Sequence, residues 1–177
     1  MILLSCVVAG IMVGLAAGGR LAALSGLRLR GEGALVLWLL FQGVLPLLSG
    51  TGAGRQALYW IWVASYPVLI AVCLRNARVP GMAIATAGLA LNVLVILLNS
   101  GMPVMPDAVR VAGGKALAIA SGDFAHVVLS TATHLPWLAD IVPIPGPVGV
   151  HGVASVGDLL LASGLAATVA SAVLPSQ

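Results

Sequence analysis

The sequence predicts an all-α fold, an integral membrane helical bundle of about five transmembrane helices with an outer lid of short helices and a Pro-rich extended segment. Three observations carry that expectation. Of the 177 residues, 60% are hydrophobic and 7% charged, against roughly 25% charged in an ordinary soluble domain. The eight Lys and Arg and five Asp and Glu leave charge-free runs at 1–19, 33–54, 56–74, 79–106 and 159–177, each able to supply most or all of the ~20 apolar residues that cross a bilayer. Between the fourth and fifth apolar spans, from 99 to 155, lies a stretch of over fifty residues carrying Pro103, Pro106, Pro136, Pro143, Pro145 and Pro147. The length suits one membrane domain, 1–177. A water-soluble globule is excluded, and the net charge of +3 is scattered rather than clustered, so no nucleic-acid partner is expected.

The first span covers about 2–19. No basic residue precedes it and Arg20 follows, the reverse of a secretory leader, so it reads as a retained helix. A loop with Arg20, Arg28 and Arg30 leads to the second span, 34–48, interrupted by Pro46. Gly50, Gly52 and Gly54 make a turn with Arg55 as its only charge. The third span, 57–74, contains Pro67 and ends at Arg75 and Arg78. The fourth is 81–98 and the fifth 156–174. Basic residues number three, one and two in the three short loops, which assigns the first and third to the cytoplasm. The expected location is therefore the cell membrane, with the N-terminus outside and the C-terminus cytoplasmic.

The segment 99–155 then forms the outer lid. Pro106 and Asp107 suit a helix start and Gly113-Gly114 its end. A second, more apolar helix is expected from Lys115 to about Ser130, bent near Gly122. From Leu135 onward the prolines remove backbone donors and enforce an extended strap. The halves show no internal repeat, which weakens an inverted-repeat transporter reading.

Several residues are candidates for more than scaffolding. Gly10, Gly14 and Gly18 share one helix face, as do Ala162, Ala166 and Ala170. Such stripes let backbones approach closely where lipid supplies no hydrophobic drive, within one chain or, alternatively, at a homodimer seam. Gln42, Asn92 and Asn99 are amides in or beside apolar spans, where each must find a partner. Asp158 is an acid at the start of the fifth span, and Ser155-Val156-Gly157-Asp158 has the spacing of a capping box. His126, His134 and His151 share the lid with Asp123 and Asp140, but their spacing matches no closed ligand set. No metal site is expected, and the histidines read as interfacial or hydrogen-bonding groups. Cys6 and Cys73 lie inside apolar runs as small buried side chains. Trp38, Tyr59, Trp60, Trp62 and Trp137 suit an interfacial belt. Nucleotide loops, a Gly-x-Ser-x-Gly elbow and a haem attachment motif are absent, and the sequence names no cofactor.

Asn99-Ser100-Gly101-Met102-Pro103-Val104, then His126, then Leu135-Pro136-Trp137-Leu138-Ala139-Asp140-Ile141-Val142-Pro143-Ile144-Pro145, and finally Ser155-Val156-Gly157-Asp158 together resemble a bacterial multi-pass membrane protein family, domain of unknown function 5317. The resemblance covers nearly the whole chain, with its specific motifs in the second half; the stretch from Gly146 to Ala154 is where the chain follows it least. It implies a small multi-pass protein with no established activity, so no catalytic role carries over. It directs attention to Asn99, Met102, Pro103, Asp140, Pro143, Pro145, Ser155 and Asp158.

The function expected from these features is binding of a small or lipid-like ligand, or an accessory role beside another membrane protein, through an outer-leaflet pocket under the lid. Its candidate contacts are Asn99, Met102, Pro103, His126, Asp140, Ser155 and Asp158, with Asn99, Asp140 and Asp158 as the polar groups. The alternative is a membrane-embedded hydrolase or transferase using Asp140 or Asp158 with His126, and a further one is a small transporter. Convergence of the two carboxylates and His126 around a cleft would favour the enzyme. A carboxylate spent on its own helix start would favour structure.

Overall fold

Glycine and alanine decide which helices can touch. The computed structural model describes residues 2–50, 54–113, 124–146 and 152–174, and among these α6 (Val156–Val173) is the post against which α1 (Ile2–Ala16) and α4 (Met82–Asn99) pack. A Cβ added at Gly88 would strike the Gly157 carbonyl and the Leu161 amide, and one at Gly164 would strike the Ala85 backbone. On the other side of α6, Gly10 lies against the Ala166 backbone and Gly14 against Ala170 and Val173. These are backbone-to-backbone approaches, which bring many atoms into dispersion contact. Gly10 meets Ala166 and Gly14 meets Val173, so α1 and α6 run parallel. Gly81 meets Gly164 and Gly88 meets Gly157, so α4 is antiparallel to both.

The remaining long elements add to α4 in sequence order. Helix α3 (Arg55–Arg75) packs antiparallel to α4, and the Tyr59 hydroxyl donates to the Ile96 carbonyl at 3.1 Å. Helix α2 (Glu32–Val44) packs antiparallel to α3, with Trp38 Nε1 donating to Ser65 Oγ at 3.0 Å. Successive long helices thus alternate in direction. Tyr59, Val63, Tyr66, Leu69, Leu89, Val95 and Ile96 form the core between α3 and α4. Outward faces stay apolar, with Leu37 69% and Leu47 73% exposed.

Three helices, α3, α4 and α6, are long and apolar enough to cross a membrane; α1 and α2 are shorter apolar helices. The second expected span stops being α-helical at Val44 and continues as a 3-10 turn, Leu45–Gly50, because Pro46 has no amide to donate. Pro67 does not interrupt α3. The first helix ends at Ala16 rather than at 19, and this removes Gly18 from the packing stripe. With φ +87, Gly18 takes the left-handed turn instead, and nothing lies within 4 Å of where its Cβ would be. Gly19 makes the third close approach, beneath the Val173 carbonyl.

The lid between α4 and α6 contains the expected short helix, α5 (Pro106–Val111), with Pro106 in its first turn. It also contains strands, which corrects the all-α expectation. β1 (Met102–Val104) pairs in parallel with β2 (His126–Val128), and β3 (Val142–Ile144) pairs antiparallel with β4 (Gly152–Ala154). The helix expected to reach Ser130 is therefore extended over 126–128. β-branched Val127 and Val128 favour that conformation, and pairing with β1 satisfies backbone groups that an apolar setting would leave unpaired. The first part of that expected helix, residues 115–123, lies outside the described residues, as do Asp123, Pro147 and His151. Asp140 ties the lid together through its backbone, donating to the Pro103 carbonyl at 2.9 Å and accepting from the Met105 amide at 3.0 Å.

Gly88→Ala is expected to destabilise the purified protein by about 1–3 kcal/mol, since the added methyl meets the main chain of α6 at Gly157 and Leu161 and cannot be accommodated by a rotamer change. Gly43→Ala, in α2 with open space at its Cβ, is expected to be neutral or stabilising by up to about 1 kcal/mol. Thermal unfolding of both variants in one detergent checks the pair; equal midpoints would refute the close α4–α6 approach.

Candidate functional site: a carboxyl cluster and a cleft at the lid end of the bundle

Ser155 precedes α6 with extended φ/ψ of −89° and 168°, so its side chain is free to turn back over the first helical amides. Its Oγ accepts from the Asp158 amide at 2.9 Å, and the Asp158 carboxylate accepts from the Ser155 amide at 3.1 Å, completing a capping box. Asn92, reaching across from α4, joins this box. Its Nδ2 donates to Asp158 Oδ1 at 2.7 Å, while Ser155 Oγ donates to Asn92 Oδ1 at 2.8 Å. The ring is buried, with Ser155 at 0% and Asn92 at 8% exposure. Gly157 makes it possible, since a Cβ there would occupy the Asn92 amide.

Asp140 approaches from the lid. Its residue is 6% exposed and its Oδ1 meets no donor among the described residues. Burial, then the neighbouring Asp158, pushes the Asp140 carboxyl up to about 7, with His126 opposing that rise. Tyr66, from α3, stands in the field of both carboxyls. The Asp140 and Asp158 carboxyls and His126 therefore do come into one neighbourhood. Among the described residues, no three His, Cys, Asp or Glu side chains are arranged to hold a metal ion.

Asn99 is spent on the chain itself. Its Nδ2 donates to the Val95 carbonyl at 2.8 Å and to the His134 carbonyl at 3.0 Å, and its Oδ1 accepts from the His134 amide at 2.8 Å. The side chain thus imitates a strand partner and clamps the lid to the end of α4. Asn76 does the same at the other end of the bundle: its Oδ1 accepts from the Arg30 amide at 2.8 Å and its Nδ2 donates to the Arg30 carbonyl at 2.9 Å. The sequence reading missed Asn76; its signal was an amide at a helix end shortly before Pro80. Met102 and Pro103, in β1, are buried, Met102 as part of the α3–α4 core. Both edges of β1 are paired, one with β2 and the other, at Val104, with Asp140.

A cleft of about 340 Å³ opens at the same end, lined by Arg55, Gln56, Tyr59, Trp60, Ser100 and Phe124. Arg55 Nη2 donates to the His126 carbonyl at 3.0 Å, joining the start of α3 to β2. The polar groups expected to line a pocket, Asn99, Asp140 and Asp158, do not line this one. Their hydrogen-bonding capacity is directed at one another and at the backbone. In the sequence reading Arg55 counted only as a loop charge; the signal was Arg55-Gln56 followed one turn later by Tyr59-Trp60 at a helix start.

The model of a family of unknown function, DUF5317, matches residues 26–170, which takes in α2 to α5, the whole lid and most of α6. No curated protein and no solved structure matches the chain.

Asn92→Leu is expected to cost about 1–3 kcal/mol, because it removes a donor from Asp158 and an acceptor from Ser155 while keeping the volume of the side chain. Chemical or thermal unfolding in detergent measures it. A variant as stable as the parent would mean that water supplies the missing partners.

Proposed function

We infer, for a chain that belongs to the family of unknown function DUF5317, that it is a multi-pass membrane protein which binds an amphiphile with an anionic head in the cleft beneath its lid. Support for the membrane setting comes first from α3, α4 and α6, each long and apolar enough to cross, and from the apolar outward faces of the shorter helices, which water would not tolerate at this extent. Alternating helix directions suit five crossings within one membrane domain. The hydrogen bonds between Asn76 and Arg30 hold the first and third loops at one end. That end carries Arg20, Arg28, Arg30, Arg75 and Arg78, which favours it as cytoplasmic. The lid and the N-terminus then lie outside and the C-terminus inside. Trp60 and Trp137, 54% and 62% exposed near the lid end, suit the outer interface.

The observation that carries the binding reading is the composition of the cleft. Arg55 and Gln56 open α3, whose first turn contains no acidic residue and whose N-cap, Gly54, supplies no side-chain acceptor. The first amides of a helix carry partial positive charge, and a guanidinium adds planar donors matched to phosphate or carboxylate. Tyr59, Trp60 and Phe124 provide an apolar wall for a hydrocarbon chain. A binding role accounts for the geometry better than a hydrolase or transferase does. Both Asp158 oxygens already accept hydrogen bonds and Asp140 is buried, so neither acid faces the cleft. A transporter path past Asn92 gains no support, since its amide is occupied by Asp158 and Ser155.

Native mass spectrometry of the protein in mixed micelles containing phosphatidylglycerol and phosphatidylcholine tests this reading. Wild type is expected to retain phosphatidylglycerol preferentially. Arg55→Gln is expected to lower retention about tenfold, the equivalent of one lost charge-assisted hydrogen bond. Trp60→Ala, which leaves the Arg55 contact with His126 in place, is expected to weaken retention of both lipids. Equal retention of the two lipids by wild type, or no change in Arg55→Gln, would overturn it.

A further inference from the structure

The carboxyls of Asp140 and Asp158 support an inference that does not depend on what the cleft binds. They belong to different parts of the fold, Asp140 to the lid and Asp158 to the first turn of α6. Asp158 is the natural holder of negative charge: Asn92 Nδ2 donates to one oxygen and the Ser155 amide to the other, and the positive end of the α6 dipole lies beneath it. Asp140 has no such support. It is 6% exposed, its Oδ1 meets no donor among the described residues, and it follows the Pro136–Leu138 turn, which packs on α6 and brings its carboxyl toward Asp158. The groups facing this pair are Asn92 from α4, Ser155 from α6, Tyr66 from α3 and His126 from β2. Of these, His126 alone can become a cation.

Two ionised carboxylates in that contact would repel across a buried space with no hydrogen between them. We propose that Asp140 and Asp158 bind one proton between them and that this proton is the catch holding the lid against α6. With the proton on Asp140, its O–H donates to the Asp158 carboxylate and the orphaned carboxyl becomes a hydrogen-bond donor. Release breaks only that O–H bond, sends the proton to solvent and leaves two facing carboxylates. The Asn99 clamp on His134 is untouched, so release loosens the lid at α6 while its hinge at α4 persists.

The direction of the pH effect follows. The Asp140 carboxyl lies at about 7 in the folded protein against an ordinary value of 3.8, so the folded state holds the proton more tightly than the unfolded chain. The contribution to stability is complete below about pH 4 and is lost as pH rises through about 7.

Infrared spectroscopy of the vesicle-reconstituted protein, titrated from acid to alkaline pH, together with unfolding midpoints over the same range, tests the proposal. Wild type is expected to show a protonated carboxylic acid band at pH 6 that disappears through about pH 7, and a midpoint that falls over the same interval. Asp140→Asn supplies a neutral donor permanently. It is expected to lack the band and to keep its acid-side stability at alkaline pH, where wild type unfolds up to about tenfold more readily for each unit of raised pKa. Should Asp140→Asn fail to fold, Asp158→Asn removes the like charge instead and is expected to move the disappearance of the band toward acid. Absence of the band in wild type at pH 6, its survival in Asp140→Asn, or an unmoved band in Asp158→Asn would each overturn the proposal.

Discussion

Backbone-to-backbone contact along α6 is the constraint from which the rest of the lid end follows. Because Gly88 and Gly157 let the two main chains meet, Asn92 arrives beside the first turn of α6 with no room to turn elsewhere. Its amide then completes the hydrogen bonds of Ser155 and Asp158. A larger residue at 157 would occupy the position of the amide itself. The helix start that ordinarily ends in water is thus closed by a neighbouring helix, and Asp158 is oriented with one side toward the lid.

A chain with 7% charged residues has few polar side chains to spend, and asparagine does much of the work. Asn76 and Asn99 each present both halves of an amide to one loop residue, Arg30 and His134, at opposite ends of the bundle. An amide can satisfy a donor and an acceptor at once and carries no charge to desolvate, which makes it the economical clamp where water is scarce. The same logic explains the short strands of the lid. Segments such as Met102–Val104 are too apolar to leave to solvent, and pairing with His126–Val128 answers their backbone needs.

The cleft and the carboxyl pair share one residue. The His126 carbonyl accepts from Arg55 at the cleft, while the His126 side chain lies in the field of Asp140. β2 thus presents its backbone to the cleft and the His126 side chain to the carboxyls.

The local features were legible in the residues alone. Apolar run length announced the helices, Pro106 started α5, and Ser155-Val156-Gly157-Asp158 spelled a capping box, because each depends on neighbours within a turn or two of chain. Other features belong to residues far apart in sequence and became visible only when the helices were assembled. The pairing of β1 with β2, the burial of Met102 and Pro103, the meeting of Asn92 with Asp158 across 66 positions and the cleft joining Arg55 to Ser100 and Phe124 are of this kind. Gly18 shows the boundary between the two: its spacing fitted a packing face, yet α1 stops three residues short of the expected end, and a packing residue became a turn. Hydrogen bonds and close contacts act over a few ångströms of space, not of sequence, so composition could specify the apolar helices while only the assembled bundle decided which polar groups would meet.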